Sequence, residues 1–154
     1  MTNTNLTNIR IKSLYVLDQD EAVDFYCGKL GFVVADDVDL GFMRWLTVSL
    51  PHDPDHQLLL ELPGGPMQDD QTAAQLRDLL TKGALGGTFL TTEDIDATFA
   101  SLQEAGVEIT QEPVEQPYGT DMAIRDPFGN HVRVSQMAPV SSEEVQRRYD
   151  AAQA

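Results

Sequence analysis

The chain has 154 residues, 42% of them apolar, and carries 25 acidic against 10 basic side chains for a formal net charge of −15. That length suits one domain, or two small subdomains, with a core large enough to need no covalent staple. The charge argues against nucleic acid, whose phosphates are bound mainly through Lys and Arg, and equally against anionic membrane surfaces.

Residues 1–8 are polar and uncharged in their side chains, the pattern of a flexible N-terminus without a signal peptide. No apolar run approaches the roughly 18 residues of a membrane span. Cys27 is the single cysteine and so forms no internal disulfide, which fits a reducing, cytoplasmic setting. From Arg10 to Leu17 the pattern alternates as a strand. Asp18 or Asp20 is a suitable helix N-cap, because a short carboxylate accepts the unpaired N–H groups of the first turn. Ala22, Val23, Phe25, Tyr26 and Leu30 then recur at helical spacing, and Gly31 supplies the stop. Strands are expected at Phe32–Asp36, Phe42–Leu50 and Gln57–Leu62, with residues 51–55 as the turn before the last.

Pro63-Gly64-Gly65-Pro66 interrupts the pattern, and a short amphipathic helix is expected from Asp70 to Lys82. The same order then repeats: strand Gly86–Thr91, helix Asp94–Ala105, strands Val107–Thr110, Thr120–Arg125 and His131–Gln136. A surface helix capped by Ser141 or Ser142 ends the chain. In both halves a strand runs into an acidic D-x-D triplet (Asp18/Asp20, Asp94/Asp96), and the helix after it stops at glycine. Asp18 to Asp94 is 94 − 18 = 76 positions and Gly31 to Gly106 is 106 − 31 = 75, so the chain is an internal duplication. The organisation is therefore an α+β fold of two tandem βαβββ modules, 9–62 and 84–137. A linker with a short helix (63–83) joins them, and a C-terminal helix (138–154) follows.

Alternation along the strands separates two faces. Leu14, Val16, Leu46, Val48, Leu58, Leu60, Leu62, Leu90, Met122, Ile124, Val132 and Val134 should lie against the helices. The opposite face mixes Tyr15, Trp45 and Phe89 with a few polar groups, including Glu61, Asp121, His131 and Arg133. Isolated polar groups among aromatics are the composition of a small-molecule pocket; packing against the other half or a second subunit would produce the same pattern.

The runs Val16-Leu17-Asp18-Gln19-Asp20-Glu21-Ala22-Val23-Asp24-Phe25-Tyr26, Leu30-Gly31-Phe32, Pro117-Tyr118-Gly119 and Asp126-Pro127-Phe128-Gly129-Asn130-His131 resemble the vicinal oxygen chelate superfamily. That superfamily includes glyoxalases, bleomycin-resistance proteins and extradiol dioxygenases. The resemblance covers roughly Ile9 to Met137 and implies two half-open barrels around a central cup, often completed in a homodimer. It also implies that metal-using members place ligands on the first and last strand of each module. Projected onto this chain those positions are Ile11, Glu61, Gly87 and Arg133. Only Glu61 can ligate, and a divalent catalytic site needs about three protein ligands. No metal is therefore expected; a single divalent ion is the alternative if the projection is displaced.

Arg133 in a cup needs a counter-ion, and Glu61, placed at the equivalent repeat position, is the expected partner. Tyr15, Trp45, Phe89 and Tyr118 are the candidate aromatic walls. His131 and Glu61 are the candidates for acid–base work. His52 and His56, beside Asp53 and Asp55, suggest a solvated loop, and Cys27 a small apolar residue. The function expected is metal-independent binding or sequestration of a small organic ligand, aromatic or cationic, by a cytoplasmic homodimer. The alternative is an enzyme of the same superfamily: a metal-dependent lyase, isomerase or dioxygenase, or a metal-free lyase or isomerase using Glu61 or His131.

Overall fold

Asp18 and Asp94 begin the two helices of the repeat in the same way. In the computed structural model each sits in extended conformation, and each carboxylate accepts a first-turn N–H, from Glu21 at 2.9 Å and from Ala97 at 3.0 Å. The structure describes residues 2–154; Met1, the first residue of the polar N-terminal segment, lies outside them. Two compact units divide the chain between Leu79 and Leu80.

The first unit runs β1 (Ile11–Tyr15), α1 (Gln19–Tyr26), β2 (Val33–Asp39), β3 (Arg44–Leu50) and β4 (Asp53–Glu61). Its sheet has the order β1-β4-β3-β2, with β1 parallel to β4 and the other neighbours antiparallel. Val16, Ala22, Tyr26, Leu46, Val48 and Leu60 are wholly buried between α1 and the sheet. Tyr26 meets Phe25 and Phe32 edge-on, with ring centroids 5.0 and 5.8 Å away. The helix ends earlier than its apolar spacing suggests. Beyond Tyr26 the chain continues in turns to Leu30, and Gly31 takes the left-handed conformation (φ +82°) that lets Phe32 N–H reach Tyr26 O. β4 starts at Asp53, so the turn before it is only Pro51-His52. Leu62, expected to face the helix, is exposed because the strand has ended at Glu61.

α2 (Asp70–Thr81) crosses the boundary between the units. The second unit comprises β5 (Thr88–Thr91), α3 (Ile95–Glu104), β6 (Glu108–Gln116), β7 (Gly119–Arg125), β8 (His131–Met137) and α4 (Ser142–Gln153). Its sheet repeats the first, in the order β5-β8-β7-β6 with the β5–β8 pair parallel. Met122, Ile124 and Val132 are wholly buried, with Ile95, Leu102 and Val134 nearly so. β6 is more than twice as long as its apolar pattern suggests and pairs with β7 through two register shifts, the second across Pro113. Pro117-Tyr118 is therefore the tight turn of a hairpin, with Gly119 already in β7. The D-P-F-G-N turn is built around Asp126: its Oδ1 accepts the N–H groups of Phe128, Gly129 and Asn130, and its Oδ2 accepts Asn130 Nδ2 at 2.7 Å. The fold is thus α+β, two mixed four-stranded sheets with four helices, and neither sheet closes on itself.

Candidate ligand-binding site

β1 and β4 run in parallel with Tyr15 opposite Glu61, so both side chains leave the sheet on the face away from α1. There they border a cleft of about 630 Å³ in the first unit. Phe42 and Met43, the 62–68 segment, Gln19 and Arg44 complete it. Most polar groups in these walls are already satisfied. Gln19 Nε2 donates to Leu60 O (2.9 Å) and Arg44 O (3.1 Å). Gln68 ties the Pro-Gly segment to the sheet: its Nε2 donates to Tyr15 Oη at 2.6 Å, and its Oε1 accepts Gly64 N–H at 2.8 Å. The Arg44 guanidinium forks onto Asp37 through Nε (2.8 Å) and Nη2 (2.9 Å), and reaches Asp20 through Nη1 (2.8 Å). Those bonds push the arginine upward and hold the Asp37 carboxyl below the usual range, through the hydrogen bond first and then the charge. The exception is Glu61. It is half-buried, and its carboxylate has no hydrogen-bond or ion-pair partner among the described residues.

The second unit resolves the same sheet face differently. Asp121 on β7 is fully buried, and its carboxylate accepts from Arg133 Nη1 at 2.6 Å, from Gln111 Nε2 at 3.1 Å and from the Tyr118 hydroxyl through a very short bond. Burial opposes the charge on Asp121. The bonds from Tyr118, Arg133 and Gln111, with the guanidinium's field, outweigh it and hold the carboxyl below its ordinary value. The Tyr118 phenol is pushed up to about 12, by burial first and then by its bond to Asp121. Arg133 thus has its counter-ion two strand positions away in its own unit, where the sequence suggested Glu61. The side chain is 37% exposed, and beside it in register stands Phe89, which is 78% exposed.

Register also corrects the equivalence between Glu61 and Arg133. Tyr15, three residues before the Asp18 cap, pairs with Glu61; Thr91, three before Asp94, pairs with Ser135. Val16 N–H donates to Glu61 O (2.9 Å) as Thr92 N–H donates to Ser135 O (3.0 Å). Ser135 is therefore the counterpart of Glu61, and Leu59 the counterpart of Arg133. The four projected ligand positions become Ile11, Leu59, Gly87 and Arg133, a set with no lone pair to offer a cation and one fixed positive charge. These residues do not fit a metal. Nor is any group of three or more His, Cys, Asp or Glu side chains able to hold one gathered among the described residues.

His131 begins β8 with its Nε2 3.0 Å from Gly83 O and 3.3 Å from Arg125 Nη2. With the proton on Nε2 the ring donates to the Gly83 carbonyl; in the other tautomer Nε2 accepts from Arg125. Trp45 is half-buried on β3 and stands outside the lining of the cleft, which takes its neighbours Met43 and Arg44 instead. His56 is exposed and bonded to Asp53 at 2.8 Å. Cys27 lies at the end of α1, its thiol pushed up by burial. Asp121 is the functional-face residue least visible in the sequence. Alternation placed it on the right face, but nothing local announced three donors. Phe42 read as the first residue of a strand that in fact begins at Arg44, and Met67 and Gln68 fall between the Pro-Gly run and the helix, where no periodicity assigns a face.

A family model for the Glyoxalase/Bleomycin resistance protein/Dioxygenase superfamily matches residues 8–134. The chain belongs to this superfamily. YurT of Bacillus subtilis (strain 168) is 34% identical over 129 residues, covering 83% of this chain and 98% of its own. Among solved structures, UcmS2 superposes with a TM-score of 0.80 at 40% identity, covering 84% of this chain and 98% of that one. TnmS3, described as an antibiotic binding protein from Streptomyces sp. CB03234, superposes with a TM-score of 0.71 at 29% identity over 88% of this chain and all of that one. Superfamily membership alone leaves the chemistry open, since this fold carries both binding proteins and enzymes.

Proposed function

We propose that the protein binds a small, flat, partly aromatic organic molecule without transforming it, in the cleft of the first unit. The observation that carries this reading is the cleft itself: about 630 Å³ walled by Tyr15, Phe42, Met43, Leu62 and Met67, with nearly all its polar groups already bonded to protein. That volume lies within the roughly 300–1,000 Å³ of small-molecule sites. The superposition on TnmS3, described as an antibiotic binding protein, supports small-molecule binding. Glu61 and Tyr15 are the contact residues in this reading. Phe89, Arg133, Tyr118 and Trp45 are candidates apart from this cleft, with Phe89 and Arg133 of the second unit offering an exposed ring beside a positioned guanidinium. The reading has the protein acting as a homodimer in the cytoplasm, with no metal and no catalytic residue; neither Glu61 nor His131 has a nucleophile or second acid–base group bonded to it.

The test is a panel of planar aromatic antibiotics and dyes titrated against the protein, read by Trp45 fluorescence, with each ligand recovered afterwards and weighed by mass spectrometry. Saturable binding with the ligand returned unaltered, and weakened by Phe42→Ala, is the expected result. Chemical alteration of a ligand at a rate set by enzyme concentration would transfer the protein to the catalytic members of its superfamily.

A further inference from the structure

Among the described residues the cleft lining carries one cation, Arg44, and one carboxylate, Glu61. Two carboxylates outside the lining, Asp37 and Asp20, already engage each nitrogen of the Arg44 guanidinium. Glu61 adds a third carboxylate, with no partner among the described residues. Counting Arg44, its two partners and Glu61 gives one positive charge against three negative. The surrounding surface belongs to a chain of net charge −15, whose field favours approach of cations.

A carboxylate among Tyr15, Phe42, Met43 and Leu62 is partly withdrawn from water and has no ion or donor of the described protein facing it, so its charge is open to an incoming molecule. The neighbouring groups are suited to the rest of such a molecule. Phe42 is 64% exposed and Met67 90% exposed, so an aromatic face and a thioether stand ready to cover a flat body. Tyr15, directly opposite Glu61 in register, lines the cleft with its hydroxyl accepting from Gln68.

We infer that the ligand of this cleft is an organic cation, a planar body bearing a protonated amine or an equivalent positive centre, and that Glu61 is its counter-ion. The inference rests on the cleft being a binding site and goes further by fixing the charge of what enters it. It also fixes orientation: the positive centre lies at the β1–β4 end of the cleft, and the flat body extends toward Phe42 and Met67.

Two three-ring probes of the same outline separate the claims: proflavine, a planar cation at neutral pH, and acridone, its neutral counterpart. Binding of each is measured by probe fluorescence anisotropy to the wild type, Glu61→Gln and Glu61→Asp. Proflavine should bind the wild type more tightly than acridone does. Glu61→Gln should weaken proflavine about tenfold, equivalent to about 1.4 kcal/mol, and leave acridone unchanged; Glu61→Asp should recover part of the loss. Added salt should erode the proflavine advantage, because the pair is reached by solvent. Equal loss of both probes in Glu61→Gln, or no loss of either, overturns the cation assignment while the cleft remains a binding site. Binding of acridone alone does the same. If neither probe binds the wild type, the cation assignment falls together with the reading of the cleft as a site for planar molecules. Unchanged circular dichroism of the Gln variant checks that it folds.

Discussion

Replacing Asp121 with Asn tests whether Arg133 is held by a buried carboxylate or merely lies near one. The substitution keeps volume and shape, and Oδ1 still accepts from Gln111. At the other terminal atom an NH₂ group now faces Arg133 Nη1, previously 2.6 Å from an oxygen. Tyr118 can turn its hydroxyl to accept, whereas the guanidinium has no lone pair with which to do so. A charge-assisted hydrogen bond contributes about 1.5–3 kcal/mol, and breaking a fully buried pair costs about 3–5 kcal/mol. Arg133 is 37% exposed and recovers some hydration, so a loss of about 2 kcal/mol is expected. Urea unfolding at neutral pH should show a lower midpoint with an unchanged slope. The pH dependence carries the sign. The folded-state Asp121 carboxyl is depressed, so its stabilisation is complete above the unfolded value of about 3.9 and is lost as pH falls through the lower folded value. The gap between wild type and Asp121→Asn should therefore narrow on acidification. A difference under about 0.5 kcal/mol at neutral pH, the ordinary range of a surface substitution, or one that widens in acid, would refute the assignment. Asp121→Leu with Arg133→Met, an apolar replacement of the pair, should be less damaging than Asp121→Leu alone.

Gly129→Ala should be among the most damaging single-atom changes. Gly129 has φ +118°, and an added Cβ would stand 2.0 Å from Leu80 O, a backbone atom that cannot turn aside. Strain and overpacking together cost about 2–5 kcal/mol, visible as a lowered melting temperature. Gln68→Ala removes the bond that ties the 62–68 segment to Tyr15 of β1 and the bond that folds Gly64 back onto Gln68, so amide exchange at Gly64 should accelerate and flat ligands should dissociate faster. Arg44→Met should return the Asp37 carboxyl upward toward the ordinary carboxylate range, measured by carbon-detected NMR titration, because Arg44 is the group that lowers it.

What could be read from the sequence was what the chain settles locally. Asp18, Asp94, Gly31 and Gly106 are caps and stops whose chemistry acts within a turn, and the structure uses each of them so. The wholly buried aliphatics of β3, β4, β7 and β8 followed from alternation, since one face of each sheet lies under a helix. The counterpart of Glu61 was not legible, because it depends on the residues traversed between cap and last strand. From Asp18 to Glu61 that is 61 − 18 = 43 positions, and from Asp94 to Ser135 it is 135 − 94 = 41. One of those residues falls before the glycine stop (31 − 18 = 13 against 106 − 94 = 12) and one after it (61 − 31 = 30 against 135 − 106 = 29); a total slip of two preserves facing, so alternation gave no warning. Asp121 escaped for a related reason. Its three donors come from β6, the β6–β7 turn and β8, and only the paired sheet brings them together.

The two units answer one electrostatic problem in opposite ways. A charged side chain on the inner face of a small sheet must be hydrated, paired or met by a ligand. In the second unit Arg133 is paired, and the partner is buried deeply enough that Tyr118 and Gln111 are also drawn into holding it. That cluster is rigid and satisfied, so it can orient one exposed guanidinium edge beside Phe89 but has little electrostatic demand left over. In the first unit the guanidinium of Arg44 is satisfied at the rim, and the carboxylate of Glu61 is left for the cleft. Duplication alone would predict two similar half-sites. Register and pairing instead leave the unmet charge in one of them, and that charge is negative. On the proposed reading, selectivity should therefore follow the sign of the ligand more closely than its size, because apolar walls distinguish flat bodies of like outline only weakly, whereas an unpartnered carboxylate favours a cation and disfavours an anion.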